Sequence, residues 1–219
     1  MRKQKLFVKE TFSSVQGEST HAGRLCFFIR LAGCNLGCAY CDTPEAKAPS
    51  SGLEVSVAEL VRLAEESGLK LVEITGGEPL LQDATPALCA ALLARNFEVM
   101  VETNGSLPIS TLPEGVVRVM DCKCPSSGES GSNLHGNFAF LTAKDEVKFV
   151  IGGREDYDFA LSLIRSERLD AKTRNLLLSP VAGRLDHQLL ASWMLEDKVP
   201  ARFHIQLHKI IWGQDAKGV

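Results

Sequence analysis

Long apolar stretches and concentrated positive charge are both missing from this sequence of 219 residues. A membrane-spanning helix needs about 20 apolar residues in a row, and no such run occurs, so we expect no membrane segment. The basic N-terminus, MRKQKLFVKETF, lacks the apolar core and cleavage site of a signal peptide, which predicts a cytoplasmic protein. The formal net charge is −3, with no basic block. We therefore expect a small-molecule substrate and no nucleic-acid partner.

A disulfide framework is not expected either. The chain has seven cysteines, an odd number, and cytoplasmic proteins keep their thiols reduced. Cys34, Cys38 and Cys41 lie close together, whereas the remaining four are scattered: Cys26, Cys89, Cys122 and Cys124. The three crowded cysteines are therefore the first candidate site.

Apolar runs alternate with amphipathic stretches after the first two dozen residues. Their nearly continuous hydrophobicity is typical of strands that are covered on both faces of a parallel sheet. We expect strands at residues 25–31, 71–75, 97–102, 116–122, 146–151, 175–179 and 203–207. Helices are predicted between them, at residues 57–67, 86–95, 156–166 and 186–195, and the first should begin with a capping box formed by Ser56 and Glu59.

Repeated βα units predict an α/β fold with a right-handed parallel sheet. A complete barrel of eight units needs about 250 residues, and this chain supplies roughly six units. We therefore predict one domain, residues 1–219, built as an incomplete, open parallel β/α barrel. A doubly wound sheet is the alternative, since periodicity does not separate the two.

The most specific motif is CNLGCAYC, from Cys34 to Cys41, directly after the first predicted strand. Thiolates are the preferred ligands of iron–sulfur clusters, which usually take four cysteines. Three cysteines would hold a 4Fe-4S cluster with one iron free for a small molecule. The alternative is a structural zinc site, which would need a fourth protein ligand. No second ligand pair with suitable spacing accompanies the motif.

This motif after the first strand resembles the radical S-adenosylmethionine (SAM) superfamily. The resemblance implies that the free iron binds SAM, whose reductive cleavage gives a 5′-deoxyadenosyl radical that abstracts a hydrogen atom. The segment TGGEP, which begins at Thr75, resembles the superfamily's SAM-binding segment. Gly76 and Gly77 permit close approach of the backbone, and Glu78 suits an ammonium group.

Polar residues at the ends of later strands are further candidates for cofactor binding, because functional groups gather at this end of parallel strands. They are Glu102, Asp121, Cys122, Lys123 and Ser179. Ordinary polar strand ends are the alternative interpretation. Cys122 and Cys124 are also close enough in sequence to bind a second metal, although buried thiols are commoner.

Four further segments together resemble the 7-carboxy-7-deazaguanine synthase (QueE) family: residues 12–18, 30–34, 41–43 and 206–209. The resemblance spans residues 12–219. It implies a carbon–nitrogen lyase that converts 6-carboxy-5,6,7,8-tetrahydropterin to 7-carboxy-7-deazaguanine and ammonia by radical ring contraction, with Mg²⁺, on the route to queuosine.

The resemblance also implies residue roles. The substrate would be bound by Val15, Gln16, Gly17, Arg30, Thr75, His208 and the C-terminal carboxylate of Val219. The cofactor would be flanked by Tyr40, Cys41 and Asp42, and Thr43 would bind Mg²⁺. Arg30 suits a carboxylate because its planar guanidinium can bind both oxygens. As alternatives, Thr43 would cap a helix, the tail would be disordered, and His208 would be structural.

The family further implies an electron donor, such as flavodoxin or ferredoxin, and a homodimer. Two other functions remain open from the sequence. A radical SAM activase that forms a glycyl radical on a partner protein would share the cysteine loop but would not need Gln16, Arg30 or Thr43. A non-enzymatic zinc-binding module would be colourless after anaerobic reconstitution with iron.

Overall fold

The computed structural model describes residues 4–214 and 216–218, which form a nine-stranded sheet around a cleft. The strand order is β3-β1-β2-β4-β5-β6-β7-β8-β9, and the two outer strands of this order do not pair with each other in the described chain. The sheet is therefore open, as predicted. No helix in the described residues has the length and apolar character needed to cross a membrane.

Seven parallel strands form the main part of the sheet. They are β2 (Leu25–Leu31), β4 (Leu71–Gly76), β5 (Glu98–Thr103), β6 (Val117–Cys122), β7 (Glu146–Ile151), β8 (Asn175–Pro180) and β9 (Arg202–Phe203). The incomplete parallel β/α barrel is confirmed. The last predicted strand, at 203–207, is wrong, since β9 ends at Phe203 and Leu207 begins a helix.

Two antiparallel strands that the sequence did not reveal extend the sheet at the β2 edge. Strand β1 (Lys5–Val15) pairs with both β2 and β3 (Leu53–Ser56). Its register sets Glu10 opposite Arg30 and Phe12 opposite Phe28, whose rings stack at a centroid distance of 4.9 Å. Because it mixes polar and apolar residues, β1 carries no continuous apolar run.

The described part of the chain also forms six α-helices. They are α1 (Val57–Glu66), α2 (Thr85–Leu93), α3 (Arg154–Ser166), α4 (Leu169–Lys172), α5 (His187–Asp197) and α6 (Leu207–Trp212). The predicted cap of α1 is half right. The Ser56 hydroxyl accepts the Glu59 N–H at 3.2 Å, but the Glu59 carboxylate binds Arg62 instead of the backbone. Short 3-10 turns, without an α-helix, connect β5 to β6 and β6 to β7.

The alternation of side chains along the strands separates an apolar outer core from a polar interior. Outward residues pack against the helices in two large apolar clusters. Inward residues form a small apolar layer at the amino ends of the strands: Cys26, Phe28, Leu71, Met100 and Val119. Polar and charged side chains follow it towards the carboxyl ends, and these line the cleft.

Candidate functional site

The cysteine loop is held against the end of β4. Gly33, in the left-handed region with φ +97°, begins the loop, and its carbonyl accepts the Glu78 N–H at 2.8 Å. A Cβ on Gly77 would overlap that carbonyl oxygen and lie 2.9 Å from the Cys34 Cβ. The glycine at position 77 is therefore required for the close contact between the cysteine loop and the strand end.

The three cysteines of the loop differ from the other four in their surroundings. Cys34, Cys38 and Cys41 are partly exposed and line the cleft, whereas the other cysteines are buried. In an iron–sulfur cluster each thiolate binds a different iron, so the three thiols must face one common space but need not converge on one point. All three face the cleft, and the residues therefore fit a cluster with three cysteine ligands. Among residues 4–214 and 216–218, no three His, Cys, Asp or Glu side chains converge on a single metal ion.

The cleft has a volume of about 390 Å³, within the range of ligand pockets. Most of the predicted site residues line it: Val15, Gln16, Gly17, Arg30, Cys34, Cys38, Tyr40, Cys41, Asp42, Thr43, Thr75, Gly76, Gly77, Glu102, Asp121, Lys123 and His208. Residues that are distant in the sequence are thus brought to one space at the carboxyl ends of the strands.

Three predicted cofactor residues do not line the cleft. Glu78 is fully buried, and its carboxylate accepts hydrogen bonds from the Asn104 N–H at 2.7 Å, the Thr103 hydroxyl at 2.8 Å and the Leu80 N–H at 2.9 Å. Because these donors occupy the carboxylate, Glu78 braces the strand ends instead of facing the cleft. Val219, predicted to contact the substrate, lies outside the described residues.

Cys122 and Ser179 are the other two predicted cofactor residues that do not line the cleft. Cys122 belongs to the apolar core beneath the helices, together with Cys124. Burial raises the pKa of both thiols, so they are neutral side chains of the core. Ser179 is also buried, and the neighbouring Pro180 and Val181 face the cleft instead. The strand alternation turns Cys122 outward between the inward Asp121 and Lys123.

The interior contains a buried ion network that the sequence did not reveal. The Lys148 ammonium donates to Glu18 at 2.7 Å and to Glu102, and lies 3.6 Å from Asp121. Burial opposes its charge, but Glu102, Glu18 and Asp121 raise the pKa of Lys148 well above its usual value. Burial likewise opposes ionisation of Glu18, yet Lys148 and the hydrogen bond from Gln206 hold the pKa of Glu18 well below its usual range. Lys148 and Glu18 are therefore both ionised at neutral pH.

Arg30 is held in place by residues of the unpredicted strand β1. Its Nε donates to Glu10 at 2.8 Å, and its guanidinium carbon lies 5.7 Å from the centre of the Phe12 ring. The two terminal nitrogens make no hydrogen bond to the described residues. Arg30 therefore presents a fixed, forked donor to the cleft, which suits a carboxylate.

The C-terminal segment forms one wall of the cleft. The Leu207 N–H donates to the Gly17 carbonyl at 2.8 Å, and the His208 ring packs directly on Gly17. Lys209 binds the Asp42 carboxylate at 3.2 Å. The tail is thereby joined both to the QGE segment after β1 and to the residue that follows the last cysteine of the loop.

Polar contacts fix the side of the cleft that contains the cysteine loop. The Tyr40 hydroxyl donates to the Val150 carbonyl at 3.2 Å, and Lys123 binds Asp121 at 2.9 Å. Thr43 precedes a short turn, but its side chain makes no capping hydrogen bond; it donates to Asp42 at 3.1 Å. Its oxygen is therefore not engaged as a cap and lies at the cleft.

Comparison with known proteins identifies the family. The profile of the Radical SAM superfamily matches residues 28–124. The 7-carboxy-7-deazaguanine synthase of Chlorobaculum tepidum is 42% identical, in an alignment that spans 98% of this chain and 97% of the relative. The 7-carboxy-7-deazaguanine synthase of Koribacter versatilis is 40% identical, in an alignment that spans 97% of this chain and 99% of the relative.

The fold agrees with the sequence comparison. The crystal structure of QueE from Escherichia coli superposes with a TM-score of 0.76 at 24% identity, covering 93% of this chain and 95% of that one. Family membership implies a 4Fe-4S cluster and SAM as cofactors. With such relatives along almost its whole length, the chain belongs to the 7-carboxy-7-deazaguanine synthase family of radical SAM enzymes.

Proposed function

We propose that this enzyme converts 6-carboxy-5,6,7,8-tetrahydropterin to 7-carboxy-7-deazaguanine and ammonia, with Mg²⁺, in the biosynthesis of queuosine. The observation that carries the proposal is the composition of a single cleft. One side has the three thiols of the cysteine loop, and the other has a forked guanidinium and buried polar groups. A radical formed on the first side would meet a polar, carboxylated heterocycle held on the second.

The cluster would be held by Cys34, Cys38 and Cys41, and with SAM it would supply a radical able to abstract a hydrogen atom. Gly76 and Gly77 pack the end of β4 against Leu31 and Gly33, and this backbone would lie beside SAM. The polar wall is formed by Tyr40, Asp42, Glu102, Asp121 and Lys123. Cys122 would contribute through its backbone alone, and Ser179 would act through the turn that follows it.

The substrate would lie between Arg30 and the C-terminal wall. The terminal nitrogens of Arg30 would bind its carboxylate, while Val15, Gln16, Gly17, Thr75 and His208 would contact the ring system. These groups orient the substrate and exclude water from it, which is what a reactive radical requires.

Thr43 would bind Mg²⁺ at the edge of this pocket. A hydroxyl is a hard oxygen ligand, and Mg²⁺ keeps few protein ligands, taking water and substrate oxygens for the rest. The proposal is supported by the position of the Thr43 side chain, which lies at the cleft beside Asp42 and is not used as a cap. We further propose one domain over residues 1–219, a cytoplasmic homodimer, and flavodoxin or ferredoxin as the reductant.

Anaerobic turnover of the carboxypterin tests the proposal. The reconstituted enzyme should form the deazaguanine product with SAM, a reductant and Mg²⁺. Arg30→Ala should raise the substrate KM at least tenfold, since a charge-assisted bond contributes about 1.5–3 kcal/mol, with iron content unchanged. Arg24→Ala is the matched control, because Arg24 forms an exposed pair with Glu98 outside the cleft. Failure of the wild-type enzyme to convert the pterin would overturn the proposal.

The Mg²⁺ assignment has its own test. Thr43→Ala should raise the concentration of Mg²⁺ that gives half-maximal turnover, while SAM cleavage without substrate stays unchanged. Thr111→Ala, on an exposed turn, is the control. An unchanged Mg²⁺ dependence in Thr43→Ala would remove Thr43 from the site.

A further inference from the structure

Glu73 is a buried carboxyl group at the base of the cleft whose role the family motifs do not explain. It lies on β4, two residues before Thr75, and its side chain points into the barrel. In the sheet its neighbours are Phe28 on β2 and Met100 on β5, both in the apolar layer. A charged side chain placed among them has a large desolvation cost.

The hydrogen bonds around Gln16 determine how Glu73 is used. The Gln16 Oε1 accepts the Glu18 N–H at 2.9 Å, so the amide nitrogen must point the other way. There Nε2 donates to Oε2 of Glu73. Glu73 therefore fixes the orientation of Gln16, which we assign to substrate binding. The second oxygen, Oε1, has no partner among the described residues, and Glu73 borders the cleft.

The charges around Glu73 favour its protonated form. Desolvation by burial, followed by repulsion from Glu102 on β5 and from Glu18, raises the pKa of Glu73 to about 8, although Gln16 and Lys148 on β7 oppose the rise. On β2, burial raises the pKa of the Cys26 thiol, so this thiol stays neutral. Burial lowers the pKa of His208. Glu73 is therefore protonated at pH 7 and ionises as the pH rises through about 8.

We propose that Glu73 is a substrate-binding residue that acts as a neutral carboxylic acid and donates a hydrogen bond from Oε1 to a ring carbonyl of the heterocycle. The proton must reside on Oε1, because Oε2 accepts from Gln16. An ionised Glu73 would instead set a negative oxygen against the carbonyl. This assignment rests on the proposed function, since it specifies how the pterin ring is recognised.

Two substitutions separate this role from a structural one. Glu73→Gln keeps both bonds, because its oxygen can accept from Gln16 and its amide can donate to the carbonyl, and it cannot ionise. Glu73→Met fills similar space with neither bond. The substrate Kd is measured anaerobically with the reconstituted enzyme and SAM, without reductant, between pH 6.5 and 9.5.

For the wild type we expect the Kd to increase as the pH rises through about 8. Glu73→Gln should bind within about threefold of the wild type at pH 7 and lose that pH dependence, while Glu73→Met should bind about tenfold more weakly. An infrared difference spectrum of wild type against Glu73→Gln should show a protonated carboxyl at pH 7 that disappears above about pH 8. Iron content should be equal in all three proteins.

The outcomes distinguish this inference from the proposed function. If the wild type converts the carboxypterin but Glu73→Met binds it as tightly as the wild type does, the inference alone is overturned. A pH dependence that persists in Glu73→Gln, or an ionised carboxyl at pH 7, also overturns it. A wild type that neither binds nor converts the carboxypterin overturns both.

Discussion

Replacing Lys148 by Met should strongly destabilise the fold, because the lysine is the centre of the buried ion network. Its side chain is 5% exposed and bonds to Glu18 and Glu102, with Asp121 nearby. Removing one partner of a buried ion pair leaves an uncompensated charge and costs about 3–5 kcal/mol. For a domain of this size, that loss lowers Tm by about 10 °C.

The loss should also depend on pH in a defined direction. Lys148 helps to hold the folded-state pKa of Glu18 below its value of 4.5 in an unfolded chain, so their pairing stabilises the fold above that pH and is lost as the pH falls. In Lys148→Met this stabilisation is absent at pH 7. The difference in unfolding free energy between the two proteins should therefore be fully present from neutral pH down to about pH 4.5 and should narrow as the pH falls below that value.

Urea denaturation followed by circular dichroism measures this difference. Lys144→Met is the matched control, because Lys144 is exposed just before the same strand, and it should change the unfolding free energy by less than about 0.5 kcal/mol. A loss below about 1 kcal/mol for Lys148→Met, or one that grows as the pH falls, would refute the ion network as described.

Two further substitutions test the architecture around the cleft. Gly77→Ala should reduce turnover and iron content at least tenfold, because the added Cβ overlaps the Gly33 carbonyl and separates the cysteine loop from β4. Gly131→Ala is the control, because a Cβ on Gly131 meets no atom within 4 Å. Equal iron content in the two variants would contradict the close contact between the loop and β4. Ser56→Ala should destabilise the protein by about 1 kcal/mol through loss of the α1 cap, as measured by urea denaturation, and a change below about 0.3 kcal/mol would show that the cap is dispensable.

The strands of the parallel sheet could be predicted because their apolar runs are nearly continuous. Strand β2 and strand β7 have the predicted bounds. Strand β1 was missed because it is antiparallel, with Leu6 and Val8 buried, Phe7 exposed between them, and mostly polar residues after them. The strand predicted at 203–207 failed because only Phe203 of this run belongs to the two-residue strand β9, while Leu207 begins α6.

The candidate site could be predicted only where sequence motifs mark it. The cysteine loop and the glycines at the end of β4 were found in this way. Glu73 and Lys148 were missed because each is a charged residue inside a largely apolar run, and their signal is the period-2 alternation that turns them inward. Glu78 fails in the opposite way: the motif predicted a cofactor contact, but the sequence did not reveal that backbone N–H groups occupy its carboxylate.

Isotope transfer tests most directly the claim that the cysteine loop and the substrate pocket share one cleft. The anaerobically reconstituted enzyme, with SAM, reductant and Mg²⁺, is given carboxypterin that is deuterated on its saturated ring carbons. The account predicts deuterium in the 5′-deoxyadenosyl group of recovered SAM or 5′-deoxyadenosine, together with the deazaguanine product. Cleavage of SAM without deuterium transfer, and with the pterin unchanged, would contradict it.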